Sequence, residues 1–383
     1  MRTWAEVSLD RLAHNYHALR GLTPYGTKFM GLVKADAYGH GAVPIAQKLE
    51  ELGADYLGVA CLAEAVELRQ AGVQTPILIL GGTPAAYAAE LVRYHITQAC
   101  YDLDYAKALS AQVQETGGTL TVHIQCDTGM SRLGFLCHED TMEQAAQEIA
   151  QAVELPGLHA EGIFTHFSDA DGSEEYTMLQ FDRFLDILQR VQTLGHTFAI
   201  RHCANSAATL LYPATYLDMV RPGIALYGHF PDGNMDPALC DLQPVMEVKS
   251  RVVTVRTVPA GTPVSYGRTN VLQRQTRRGA HWVWGWLLPW LLQPAFCAVS
   301  RGTGPCHRTG VHGHVYGGRH RSARGHRRQR RGDLRSHGKR GAACGGRGHC
   351  DEHHFLRAAL RAHPPHSSDL PVIDKVPETG SPA

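Results

Sequence analysis

No run in this 383-residue chain stays apolar for the ~18 to 20 residues that a membrane-spanning helix needs. Its first residues, MRTWAEVSLD, carry neither the basic start nor the apolar stretch of a secretory signal. Both absences lead to the expectation of a cytoplasmic protein with no membrane partner. The ten cysteines are scattered singly, without a CxxC pair, so the sequence offers neither a disulfide framework nor a metal site of zinc type. Overall charge is nearly lacking too, since 37 Lys+Arg against 36 Asp+Glu leave +1. That balance conceals two unlike parts. Residues 1–275 hold 19 basic and 30 acidic side chains, whereas residues 276–383 hold 18 basic and 6 acidic.

The first part has enough Val, Ile, Leu and Phe for a large core. Its apolar runs are FMGLVKA (29–35), YLGVAC (56–61), PILILG (76–81), ITQACY (96–101), TLTVHIQ (119–125), HAEGIFTHF (159–167), FAIRHC (198–203) and LDMVRPG (217–223). Between them lie stretches such as AVPIAQKLEELG and YTMLQFDRFLDILQRVQTLG, whose apolar residues recur at three and four. Eight strands alternating with helices predict an α/β protein, a (β/α)8 barrel over residues 1–235. The alternating MEVKSRVVTVRTV, the turn PAGT and the following PVSYG predict the start of a C-terminal β domain over 236–275, on which a first strand in 1–10 can pack. Beyond it no periodicity survives. Four of the five Trp fall at 282, 284, 286 and 290, and residues 301–350 hold 13 Gly, 12 Arg and 7 His against one acidic residue, Asp333.

In such barrels the polar residues at the carboxyl ends of strands face the site. Lys34, in VKADAYGHG, is placed to be partly desolvated and nucleophilic toward a carbonyl, or to snorkel at the rim. CDTGMSRLG (126–134) follows the fifth strand and offers Arg132, either as a fork for a carboxylate or phenolate or as a surface group paired to Asp127. FTHFSDAD (164–171) offers His166, whose ring can stack in a site or serve a structural role. In HCANSAA (202–208), Asn205 and Ser206 stand where a helix start aims N–H groups at an anion, and Gly223 in RPGIALYG lets backbone amides approach a phosphate. A reactive lysine at one strand end and a phosphate cradle at two others together point to pyridoxal 5'-phosphate.

VKADAYGHG, DTGMSRLG, FTHFSDAD, HCANSAA, VRPGIALYG and VSYGRT resemble, in order and spacing, the signatures of the alanine racemases, over residues 1 to about 270. The resemblance implies an isomerase acting on alanine through pyridoxal 5'-phosphate, supplying D-alanine for peptidoglycan. It makes Lys34 the residue that holds the cofactor as a Schiff base and moves the α-proton on the D face. Tyr38 and Ser206, with backbone amides at Asn205, Gly223 and Ile224, would bind the phosphate. Arg221 would meet the pyridine nitrogen, His166 would buttress the ring, and Arg132 would orient the substrate side. The opposite-face acid/base is a tyrosine from a partner subunit in that family, so a homodimer is implied.

Two departures stand out. Where the family often has a carbamylated lysine two residues before the DTGM aspartate, this chain has Gln125. The β-domain motifs GYxDGYxR, which holds the catalytic tyrosine, and GRVCMD are absent. A one-base shift with synonymous codons lets Trp286–Gln293 read GYYRGYSN, Arg308–His320 read GRVCMDMCMVDV and Phe355–Pro365 read SYELLCARTPR. Residues 276–383 are therefore expected to be out of frame and largely disordered, which would deprive the chain of ordinary two-base racemisation. Three other readings remain open: a serine racemase of the same family, a non-catalytic barrel that binds the cofactor, and a basic tail that binds nucleic acid in a salt-dependent way. The scattered Trp, Cys and His fit the shifted frame better than the last.

Overall fold

The computed structural model describes residues 3–250, 254–264, 270–271 and 276–280. The expectations for residues 281–383 lie outside the described residues.

All eight predicted runs form strands. After β1 (Thr3–Val7) come β2 (Lys28–Leu32), β3 (Tyr56–Val59), β4 (Ile77–Ile79), β5 (Ile96–Cys100), β6 (Leu120–Asp127), a two-residue β7 (Phe135–Leu136), β8 (Leu158–Phe164), β9 (Ile200–His202) and β10 (Met219–Val220). They lie parallel in the order β10-β2-β3-β4-β5-β6-β8-β9, with β7 paired to β6. The two ends of this order meet through Asp218 N–H to Arg201 O (3.0 Å) and Arg221 N–H to Ala204 O (2.9 Å), which completes a (β/α)8 barrel. Strands covered on both faces need no polar alternation, and every residue of β3, β4 and β5 is buried.

The helices take the caps that their sequences supply. Ser8, Asp102, Ser173 and Asn205 each accept the N–H three residues on, and Gly117, in the left-handed region, ends the helix Leu103–Thr116. Asn15, fully buried on the helix Leu9–Gly21, donates to Leu226 O and Gln243 O and accepts from Gln243 N–H. It fastens the first helix to the chain leaving the barrel.

Among the described residues the alternating stretch forms β11 (Met246–Ser250) and β12 (Thr254–Val258). β11 pairs antiparallel with β1, from Val7 opposite Met246 to Thr3 opposite Ser250. β13 (Pro263–Val264) pairs with β14 (Asn270–Val271), and β12 with β15 (Thr276–Ala280), so paired backbone runs to Ala280. Among the described residues no helix is long and apolar enough to cross a membrane.

Candidate active site

Lys34 leaves the sheet just past β2 and opens an unusual turn. Ala35, Asp36, Ala37 and Tyr38 have φ of 53°, 54°, 52° and 56°, a left-handed helical turn without a glycine. Each such residue costs ~1–2 kcal/mol, so the surroundings must hold the turn. The Ala35 N–H donates to Glu64 Oε1 (2.8 Å), the Ala42 N–H to Asp36 Oδ1 (2.7 Å), and the Gly41 N–H to Asp36 O (3.0 Å). The turn carries Tyr38 across to the loop after β10, where its ring sits 5.0 Å from that of Tyr227. A Cβ built on Gly223 would stand 2.5 Å from the Tyr38 hydroxyl, so only glycine lets this loop come so near.

Ser206, Gly223 and Ile224 meet beside it. The buried Ser206 Oγ accepts from Gly223 N–H (2.8 Å) and Ala225 N–H (3.3 Å), tying the loop after β9 to the loop after β10. Ile224 begins the short turn Ile224–Tyr227, where an N–H has no acceptor within its own turn. Asn205 uses its side chain to cap the helix Ser206–Leu211, accepting from Ala208 N–H at 3.0 Å. Burial pushes the Tyr38 phenol up to about 12, so near neutral pH it stays a hydrogen donor.

Arg221 is buried at the end of β10. It donates from Nη2 to Thr165 O (2.7 Å) and Cys203 O (3.3 Å), and from Nη1 to His202 Nδ1 (2.8 Å). Burial brings the guanidinium down to about 10, so it is still charged at pH 7. His166 follows β8, with its Nδ1 3.4 Å from Arg221 Nη2. Burial, then Arg221, Arg132 and Lys34, keep its ring neutral far below the ordinary range. Lys34 itself titrates low, chiefly through burial and then through the charges of Arg132 and Arg221. Lys34, Arg132, His166 and Arg221 are thus near enough to act on one another's charge, and His166 and Arg221 are in contact.

Arg132 is carried by a loop that the Asp127 carboxylate organises. Oδ1 accepts the N–H groups of Gly129, Met130 and Ser131 at 3.0, 2.9 and 3.0 Å, and Oδ2 accepts that of Arg132 at 3.0 Å. Asp127 thus grips the backbone of Arg132, and no ion pair joins the two side chains among the described residues. A small pocket is lined by Gln125, Cys126, Asp127, Met130, Arg132, Leu133 and His166, and Gln125 Oε1 is buried in the barrel without a protein partner.

All nine predicted site residues lie at the carboxyl ends of β2, β6, β8, β9 and β10. Sequence reasoning missed Glu64, which steadies the Lys34 turn, and His123, His202 and Glu161, which lead inward from Arg221. A polar residue inside an otherwise apolar strand, as in TLTVHIQCD, was the signal for His123.

A family model described as "Alanine racemase, N-terminal domain" matches residues 7–231. The chain belongs to the alanine racemase family. The model of the alanine racemase C-terminal domain matches residues 245–281. The chain is 43% identical over 274 residues to an alanine racemase of Desulforamulus reducens, covering 71% of this chain and 73% of that one. It is 45% identical over 274 residues to an alanine racemase of Desulfovibrio desulfuricans, covering 71% and 72%. Among solved structures, the alanine racemase of Clostridium difficile 630 superposes with a TM-score of 0.67 at 38% identity, over 73% of this chain and 72% of that one. That of Bacillus anthracis, solved with bound L-Ala-P, gives 0.64 at 31% identity, over 73% and 71%. The alanine racemase barrel, an isomerase scaffold, is thus matched throughout.

Proposed function

We propose that this chain is built to interconvert L-alanine and D-alanine with pyridoxal 5'-phosphate held by Lys34. One observation carries the reading: a lysine amine whose charged form is disfavoured stands at a strand end that shares its space with a hydroxyl-and-amide cradle and a buried arginine. The residues fit the cofactor. Tyr38 OH, the Ser206 hydroxyl and the Ile224 N–H would offer donors to a phosphate, beside the Gly223 N–H that Ser206 Oγ holds in this structure, in a gap that a Cβ at Gly223 would fill. Asn205 serves this cradle by fixing the helix that presents Ser206. When bound, the cofactor withdraws electrons from the amino acid's Cα and makes the α-proton removable.

The chain's own residues do the rest. Lys34 Nζ, free of its proton more readily than an ordinary lysine, accepts or returns the α-proton on one face. Arg221, charged and unable to accept, would face the cofactor's ring nitrogen and leave it unprotonated. Neutral His166 would lie beside that ring, and Arg132 would orient the substrate side next to Gln125. The opposite face requires a second acid/base, assigned by the resemblance to a tyrosine of a partner subunit in a homodimer. Cytoplasmic D-alanine supply for peptidoglycan follows from this reading. Serine as an alternative substrate would be decided by the same assay.

We infer further that the reading frame is lost after about residue 276 to 281. The C-terminal family match ends at residue 281, upstream of the stretches that read as family motifs when shifted by one base, which supports this reading. The test has two arms. Re-reading the coding DNA across codons 270–290 should recover a frame running through a GYxDGYYR motif to SYELLCA. The chain as written should form little D-alanine from L-alanine in the presence of cofactor, and the frame-corrected chain should form it readily. A corrected chain that binds the cofactor yet racemises neither alanine nor serine would leave the non-catalytic barrel as the better reading.

A further inference from the structure

Between β6, β8 and β9 the barrel interior carries a line of polar groups where an apolar layer would ordinarily pack. Arg221 Nη1 lies 2.8 Å from His202 Nδ1, His202 Nε2 lies 2.9 Å from His123 Nδ1, and His123 Nε2 lies 3.2 Å from Glu161 Oε2. The Tyr56 hydroxyl donates to the same carboxylate oxygen. Arg221, His202 and His123 are buried, and Glu161, with its side chain 29% exposed, is the anion that ends the line.

The chemistry of the two ends dictates the direction of every link. A guanidinium only donates, so His202 Nδ1 must accept. A neutral imidazole then keeps its one N–H on Nε2, aimed at His123 Nδ1. His123 in turn keeps its N–H on Nε2, aimed at the carboxylate. Reversing either ring would set like groups against each other at 2.9 Å. Burial holds both rings in the neutral form to which this reasoning applies.

The backbone is shaped around the line. The register of β6 against β8 slips between Val122 and His123, and His123 then sits opposite Gly162. A Cβ on Gly162 would stand 2.7 Å from the His123 ring, so the ring occupies space that only glycine leaves. Arg221 needs such support. Among the described residues no carboxylate pairs with this buried cation, and its bonds go to two carbonyls, to His202 at 2.8 Å and, at the longer distance of 3.4 Å, to His166 Nδ1.

We propose that Glu161 and His123 are positioning residues for Arg221: from the amino-terminal half of the barrel they fix the tautomer of His202, and with it the lone pair on which the guanidinium is held. The functional consequence rests on the reading of Arg221 as the partner of the cofactor ring. The tautomers themselves can be tested without cofactor.

The full chain labelled with 15N-histidine gives imidazole correlation spectra, in which His123 and His202 are assigned by the signals lost in His123→Gln and His202→Gln. Near pH 7.5 both rings should carry the proton on Nε2. Glu161→Gln, whose amide oxygen still accepts, should leave both tautomers in place. Glu161→Leu should abolish the Nε2–H signal of His123 and alter that of His202. A wild-type His202 with its proton on Nδ1, or His202 signals in Glu161→Leu matching wild type, would overturn the proposal. Should Glu161→Leu fail to fold, the wild-type and Glu161→Gln spectra decide it. With pyridoxal 5'-phosphate added, the pH dependence of the visible absorbance should shift in Glu161→Leu and hold in Glu161→Gln. A wild-type chain that takes up no cofactor counts against the proposed function and leaves the tautomers to decide this inference.

Discussion

Replacing Ala35 by glycine should make this protein more stable and at the same time a poorer binder of pyridoxal 5'-phosphate. Ala35 is exposed, its φ is 53°, and its hydrogen bond to Glu64 is made through the N–H, which glycine retains. Removing Cβ relieves the ~1–2 kcal/mol that a left-handed alanine costs. Glycine gives the unfolded chain extra freedom, which takes back ~0.4–1 kcal/mol. The balance is a gain of about 0.5–1 kcal/mol, read as a rise in the urea midpoint at unchanged slope. The same loosening frees the turn that aims Tyr38 at Gly223, so the dissociation constant for added cofactor, followed by absorbance, should rise. Destabilisation by more than about 1 kcal/mol would refute the reasoning, because it would mean that the Cβ is tolerated there and the turn is not strained.

Other expectations follow from the same geometry. Gly223→Ala puts a Cβ 2.5 Å from the Tyr38 hydroxyl and should abolish cofactor uptake while the folded signal by circular dichroism persists. Gly134→Ala, at φ +129° with a Cβ 2.6 Å from the backbone N of Asp127, should cost several kcal/mol, on the scale of ~4–5 that marks severe substitutions, and lower the melting temperature accordingly. Acid should destabilise the barrel before its carboxylates titrate. His123, His166 and His202 are held neutral in the fold, with values depressed below the ordinary 6.5. The unfolded chain takes up protons there first, so stability present above pH 6.5 is lost as pH falls through the window beneath it. The slope is up to ~1.4 kcal/mol per pH unit for each histidine. Urea midpoints at pH 7.5, 6.5 and 5.5 should fall in that order, and a flat or rising series would contradict it.

The barrel was legible because parallel strands buried on both faces read as short apolar runs, and eight of them separated by helical periods leave few other architectures. Strand ends were less so. FMGLVKA reads as one run, yet the strand stops at Leu32, because the buried Val33 leads straight into the helical turn that Lys34 opens. The left-handed turn had little local signal: of Ala35, Asp36, Ala37 and Tyr38 only Asp36 is a type that visits that conformation readily, and the turn is held by Glu64 from another helix and by Asp36 reaching forward to Ala42. Site residues at strand ends stood out as polar breaks in the pattern. His123 is a polar break inside β6 and His202 ends β9, but their meaning comes from the pairing of β6, β8 and β9, which brings residues 79 apart within 2.9 Å. Of the two readings open for Arg132, the surface pairing with Asp127 is not what forms: the tight loop turns four N–H groups toward that carboxylate instead.

The central claim is that Lys34 is the residue that takes the cofactor. Incubating the chain with pyridoxal 5'-phosphate, reducing with borohydride, digesting and sequencing the peptides by mass spectrometry tests it directly. The account predicts one stoichiometric pyridoxyl label, on Lys34 in VKADAYGHG, lost in Lys34→Ala. Label spread over exposed lysines such as Lys28 and Lys107, with Lys34 unmodified, would contradict it.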